Sequence, residues 1–149
     1  MENIFDDTYF MKKALQEAER AYEKGEIPVG AVIVIDNTII ARAHNLTETL
    51  NDVTAHAEMQ AITAAANYLG GKYLKKCTLY VTLEPCQMCA GALYWSQISN
   101  IVYGARDVER GCIQLQTKLH PKTVLRGGVM EDEASGLMKR FFIEKRNLN

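Results

Sequence analysis

No stretch of this sequence is apolar for long enough to cross a bilayer. The longest such run, Val29 to Ile35, is interrupted by Gly30 and falls far short of a span. A cationic segment leading into an apolar one is missing too. Met1-Glu2-Asn3-Ile4-Phe5-Asp6-Asp7 is acidic, which argues against a secretory signal. Charge of one sign is also lacking: 17 Lys and Arg face 18 Asp and Glu, a formal net charge of -1. The chain therefore has no global attraction for nucleic acid, and a polyanionic partner has to be held by a local basic patch. Repeats, low-complexity tracts and linkers are absent as well. A composition 48% hydrophobic and 23% charged excludes disorder, collagen-like repeats and coiled coil.

What is there reads as an ordinary globular chain of 149 residues, one domain over 1–149 with a sizeable core. With no signal and no span, the expected location is cytoplasmic, where thiols stay reduced. Four cysteines in such a chain point to metal or catalysis before disulfides. Cys86 and Cys89 form a Cys-x-x-Cys, whereas Cys77 and Cys112 stand alone.

The apolar stripe of Phe10, Met11, Leu15, Ala18, Ala21 and Tyr22 predicts a helix from Thr8 that ends at Gly25, with Pro28 beyond it. Val29 to Ile35 predicts a buried strand, and Asp36-Asn37 a turn into a second strand, Thr38 to His44. Thr54 has the chemistry of an N-cap for an alanine-rich helix, Ala55 to Leu69, stopped by Gly70-Gly71. Cys77 to Leu83 reads as a strand, Cys86 to Gln97 as a helix opened by Pro85, and Ile98 to Tyr103 as a strand. Val124 to Met130 is expected as a fifth strand weakened by Gly127-Gly128. Glu131 to Arg146 is expected as a closing helix, acidic first and basic last. Ala105 to Lys122 gives no clear pattern. The order implies an α/β domain with helices covering a mixed sheet.

Two segments carry the chemistry: His56-Ala57-Glu58, and Pro85-Cys86-Gln87-Met88-Cys89. Each opens a predicted helix. Cys86 and Cys89 are three residues apart, so both can point from one first turn at a single ion. The helix N-terminus favours their thiolates. With His56 as a nitrogen ligand, three protein donors leave one tetrahedral position of a zinc ion free, the mark of a catalytic site. Glu58 has no ligand role left, and a carboxylate beside water on a metal can take its proton and later return it to a leaving amine. His-x-Glu followed by Pro-Cys-x-x-Cys is the signature of zinc nucleobase deaminases.

Simpler readings of the same residues are weaker. A redox Cys-x-x-Cys lacks the preceding Trp of thioredoxin-like sites and has Pro85 in front instead. A structural zinc knuckle needs a fourth ligand, and His44, Cys77, Cys112 and His120 form no second closely spaced pair. A non-catalytic partner subunit would be expected to lose the proton shuttle, yet Glu58 is present.

From Ile27 to Asp107 the sequence resembles the bacterial tRNA adenosine deaminases of the cytidine deaminase-like superfamily. The resemblance rests on Ile27-Pro28-Val29-Gly30-Ala31-Val32, Thr54-Ala55-His56-Ala57-Glu58 and Val81-Thr82-Leu83-Glu84-Pro85-Cys86. It continues in Met88-Cys89-Ala90-Gly91-Ala92 and Gly104-Ala105-Arg106-Asp107. It implies a three-layer α/β/α sandwich with a central mixed five-stranded sheet, one zinc ion per subunit, and a homodimer. It also implies conversion of the wobble adenosine of a tRNA anticodon stem-loop to inosine. By position, Asn45 matches the residue that hydrogen-bonds the flipped nucleotide, Val29 and the backbone at Ala57 would line its pocket, and Asp107 would lie near the 5′ neighbour. Phe141-Phe142 matches the last helix, as a stacking platform or lid.

After Asp107 the sequence departs from the family. Val108-Glu109-Arg110-Gly111 stands where a Lys-Thr-Gly-type loop is usual, and Cys112 to Arg126 differs. Tyr94-Trp95 resembles guanine deaminases, and its simpler role is core and interface packing. The alternative activity is therefore deamination of a free base or nucleoside, guanine or cytosine. A tRNA enzyme needs a basic surface. From Lys118 to Arg146 there are seven Lys and Arg against four acids, with Arg106 and Arg110 able to extend the patch.

Overall fold

The computed structural model describes residues 4–148, so Met1, Glu2 and Asn3 of the acidic N-terminal stretch lie outside the described residues. Helix α1 spans Asp7–Glu23, opened by Asp6, whose carboxylate accepts the Tyr9 N–H at 2.8 Å. Strands β1 (Gly30–Ile35) and β2 (Thr38–His44) form the expected hairpin. Asp36 and Asn37 both take left-handed backbone there (φ 49° and 60°), the twist a two-residue turn needs. Helix α2 (Ala57–Leu69) stops at Gly70, φ 71°. Then come β3 (Thr78–Leu83), α3 (Gln87–Ser96), β4 (Asn100–Ala105), β5 (Val124–Arg126) and α4 (Glu131–Asn147).

The five strands lie in the order β2-β1-β3-β4-β5. β1 is antiparallel to both neighbours, while β3, β4 and β5 run parallel. Every β1 residue but the last is buried, because both faces of the sheet are covered. Ala31 and Ile33 face α2 and α3 in a core that includes Ala61, Ala65, Leu79, Leu93 and Ile101. Val32 and Val34 face α1, against Phe10, Met11 and Ala14. Helix α4 shares the α1 side, where the Gly104 Cα lies under Ala134. The fold is the expected α/β/α sandwich around a mixed five-stranded sheet.

Gly30 shows how closely α1 approaches. A Cβ there would overlap the Ala14 carbonyl and the Ala18 amide, so only glycine lets the helix backbone rest on β1.

Two local expectations need correction. Thr54 does not cap α2: its N–H and hydroxyl both go to Asp52 Oδ1, at 2.8 and 2.7 Å, so it belongs to the preceding turn. His56 is the N-cap instead. The fifth strand ends at Arg126 rather than Met130. Gly127 passes over the face of Tyr103, where any Cβ would overlap the ring, and this takes the chain out of the sheet.

Candidate active site

His56 and Cys86 occupy equivalent places. Each is the N-cap of its helix, in extended backbone (ψ 155° and 176°), and neither side chain makes the capping hydrogen bond. Both side chains are thus free to point across the gap between the two helix starts. Cys89 adds its sulfur from the first turn of α3. His56 Nδ1 lies 3.6 Å from Cys86 Sγ and 3.5 Å from Cys89 Sγ. A tetrahedral ion with Zn–S of about 2.3 Å and Zn–N of about 2.0–2.1 Å requires N···S separations of roughly 3.5–3.6 Å. The donors fit zinc.

Among the described residues, these three form the only cluster of three or more potential metal-binding side chains. The other fourth-ligand candidates are engaged elsewhere. His44 sits between Glu17 and Lys24, His120 Nδ1 accepts the Lys122 N–H, Cys77 is buried in the core, and the buried Cys112 thiol hydrogen-bonds Glu84. The Cys89 thiol beside it and then the His56 imidazole hold the Cys86 thiol down to about 4, against the opposing effect of burial. Cys86 in turn raises His56, its hydrogen-bond partner.

Glu58 stands on the first turn of α2 and is only 4% exposed. Burial, above all, pushes its carboxyl up to about 7, within the range in which a carboxyl both takes and returns a proton near neutrality.

His56, Cys86 and Glu58 border a cleft of about 700 Å³ at the carboxyl ends of β3 and β4, where α/β sheets commonly bind ligands, with the buried Cys89 behind Cys86 and His56. Val29, Asn45, His56, Ala57, Glu58, Cys86, Asp107 and Phe142 line it. Asn45 is 5% exposed, and among the described residues its Oδ1 has no hydrogen-bond partner. An orphaned acceptor in a cleft wall suits a ligand that brings an N–H or O–H. The Asp107 carboxylate accepts the N–H groups of Glu109 and Arg110, which folds that loop toward the cleft.

Phe141, expected with Phe142 as a stacking platform or lid, does not line the cleft. It is buried with Ala134 and Leu137, edge-on to Tyr22 at 5.9 Å between ring centroids. One residue on is a rotation of about 100° around the helix, which puts Phe142 on the cleft side. Beside Phe142, and Lys139 and Arg146 of the basic stretch, Ser135, Met138 and Ile143 line the cleft, and sequence reasoning missed these three. The i, i+3, i+4, i+7, i+8 spacing of the whole set was the available signal. Arg126 leaves the basic patch, since Asp7 takes its guanidinium in a two-pronged pair at 2.9 Å. The cations of the cleft are Arg106, Arg110, Lys139 and Arg146.

A layered sheet of this order, a three-donor zinc centre and a buried carboxyl beside it define the class, a zinc-dependent hydrolytic deaminase. Residues 5–105 match the family model for the cytidine and deoxycytidylate deaminase zinc-binding region. Over 147 residues the chain is 48% identical to the tRNA-specific adenosine deaminase of Bacillus subtilis (strain 168), covering 94% of this chain and 91% of that protein. The enzyme of that name from Aquifex aeolicus (strain VF5) is 47% identical, over 93% and 95% of the two chains. A solved structure from studies of A-to-I editing by tRNA:A34 deaminases at the wobble position matches with TM-score 0.80 and 42% identity. That match covers 87% of this chain and 99% of the other. The guanine deaminase of Bacillus subtilis matches over less, 65% and 62%, with TM-score 0.62 and 45% identity. The chain belongs to the tRNA-specific adenosine deaminase family of zinc deaminases.

Proposed function

We propose that this chain hydrolyses the wobble adenosine of a tRNA anticodon to inosine, taking up water and releasing ammonia. The observation that carries the reading is the unpartnered, buried Oδ1 of Asn45 in a cleft that His56, Cys86 and Glu58 also line. A flipped nucleotide supplies the missing donor and sets its base beside Glu58. His56, Cys86 and Cys89 would hold the zinc ion, which when bound would supply a water acidic enough to act as nucleophile near neutral pH. Glu58 takes the proton of that water and delivers it to the departing amine. Val29 and the Ala57 backbone hold the base, Phe142 offers it or a neighbour a stacking face, and Asp107 meets the 5′ nucleotide. Arg110, Lys139 and Arg146 at the cleft suit the phosphates of a folded RNA loop, which needs only modest local charge.

The same reading has one domain over 1–149 acting in the cytoplasm, where tRNA is processed. Among the described residues no helix is long and apolar enough to cross a membrane. It also has the protein working as a homodimer. Trp95 on α3 is 77% exposed, and Tyr68, Leu69 and Tyr73 lie exposed at and beyond the end of α2, an apolar surface that a second copy would cover. Sedimentation at micromolar concentration distinguishes dimer from monomer.

The test is release of inosine from an anticodon stem-loop bearing a wobble adenosine, assayed beside free guanine, cytosine and adenosine. Turnover of the stem-loop supports the reading. Brisk turnover of guanine or cytosine with none on the RNA replaces it with the free-base activity.

A further inference from the structure

Glu84 is the most deeply buried carboxylate bordering the cleft, its side chain 0% exposed, and the proposed chemistry does not use it. Its two oxygens hold the two ends of one loop. Oε1 accepts Arg106 Nε at 2.7 Å and the Asp107 N–H at 3.2 Å, while Oε2 accepts the Ile113 N–H at 2.8 Å. Between those ends, Asp107, Val108, Glu109 and Arg110 face the cleft.

The backbone ties the same loop to the metal ligand. Glu84 N–H continues the β3–β4 pairing to Ala105 at 2.9 Å, the Cys112 N–H donates to the Pro85 carbonyl at 2.9 Å, and Gly111 bridges Cys86. Gly111 packs on the carboxylate and on the loop itself: a Cβ at that position would overlap Glu84 Oε2 and Cδ and the Asp107 carbonyl. A buried carboxylate is tolerated only where such donors surround it. This one spends all of them on the placement of a single loop, two residues from Cys86.

We infer that Glu84 is a positioning residue, which sets the register of the Arg106–Ile113 loop against the zinc centre and thereby aligns the nucleotides flanking the target base. The inference rests on the RNA reading above. Glu84 touches no substrate. It acts through Asp107 and Arg110, so its loss weakens the grip on RNA while the reacting groups on α2 and α3 stay in place.

Two variants of the full-length zinc-loaded protein test this on the anticodon stem-loop. Glu84→Gln keeps the shape but replaces one acceptor with a donor. Gly111→Ala keeps every charge and pushes a methyl between the carboxylate and the Asp107 carbonyl, displacing the loop from Glu84. For each, KM rises about tenfold or more, with kcat within about threefold and one zinc per chain retained, because the lost interaction is shared by ground and transition states. The double variant loses little more than either single one, since both disturb the same contact. Should Glu84→Gln prove insoluble, Gly111→Ala carries the same expectation alone.

KM and kcat both within about twofold of wild type in a folded Gly111→Ala protein overturn the inference. So does a fall in kcat that tracks lost zinc with KM unmoved. Wild-type protein inert on the stem-loop overturns the RNA reading first, and the inference with it. An active wild type with unaffected variants overturns the inference alone.

Discussion

His56 and Glu58 are two residues apart, yet their surroundings give them different work. His56, at the N-cap, points its ring out to the two sulfurs, while Glu58 lies one step inside the helix, where burial raises its carboxyl to about 7. Glu58→Ala should leave zinc binding intact and cost on the order of a hundred- to ten-thousandfold in kcat, the usual range for a lost proton shuttle. Metal analysis and steady-state rates check it together, and zinc lost in parallel would make Glu58 a ligand instead. The identities of His56, Glu58, Cys86 and Cys89 could be read directly, because metal and proton chemistry accept few side-chain types. Glu84 could not. Its importance comes from which backbone N–H groups the fold brings to it, and an acid between strand and helix carries no such label. Phe141 and Phe142 differ for a similar reason, since only the docking of α4 decides which ring faces the cleft.

At the scale of elements, α1 meets the sheet at two points beyond the apolar packing of Phe10, Met11 and Ala14. At the first, Gly30 lets the helix backbone touch β1. Gly30→Ala should destabilise the protein by about 2–3 kcal/mol through overpacking, measured by denaturant unfolding. At the second, Asp7 on α1 pairs with Arg126 on β5 and accepts the Tyr80 hydroxyl at 2.8 Å. Arg126 holds the Asp7 carboxyl below its ordinary value of 3.8, so folding favours the ionised form. The tie is fully present above pH about 4 and is lost as pH falls through the lowered value in the folded protein. Asp7→Asn should therefore cost about 1 kcal/mol at neutral pH, the scale of a well-formed partly exposed pair, and progressively less as pH falls below about 4. Unfolding curves at neutral and acidic pH decide it. The long elements were plain from their periodicity. The fifth strand was not, because its end is dictated by the ring of Tyr103, a neighbour remote in sequence.

For the whole molecule, zinc joins elements that the chain separates by some thirty positions. His56 lies on one helix start and Cys86 and Cys89 on another, and the three donor atoms meet between them. Binding energy at such a site adds to folding energy. Stripping the metal with a chelator should lower stability by about 3 kcal/mol if zinc had been present at a hundredfold over its Kd, or on the order of 5–10 °C in melting temperature. Calorimetry before and after readdition measures it, and an unchanged melt would mean that the two helix starts hold together unaided.

His56 and Cys86 each stand where a capping side chain belongs, and neither caps. A chain without its ion therefore has two helix starts without a side-chain cap on the same side of the sheet. Protease cuts in proportion to how often such segments open. Resistance to brief digestion at Ala55–Gln60 and Pro85–Ala90 should thus report the fraction of metal-loaded molecules, and proteolysis would remove empty copies before they could occupy substrate unproductively.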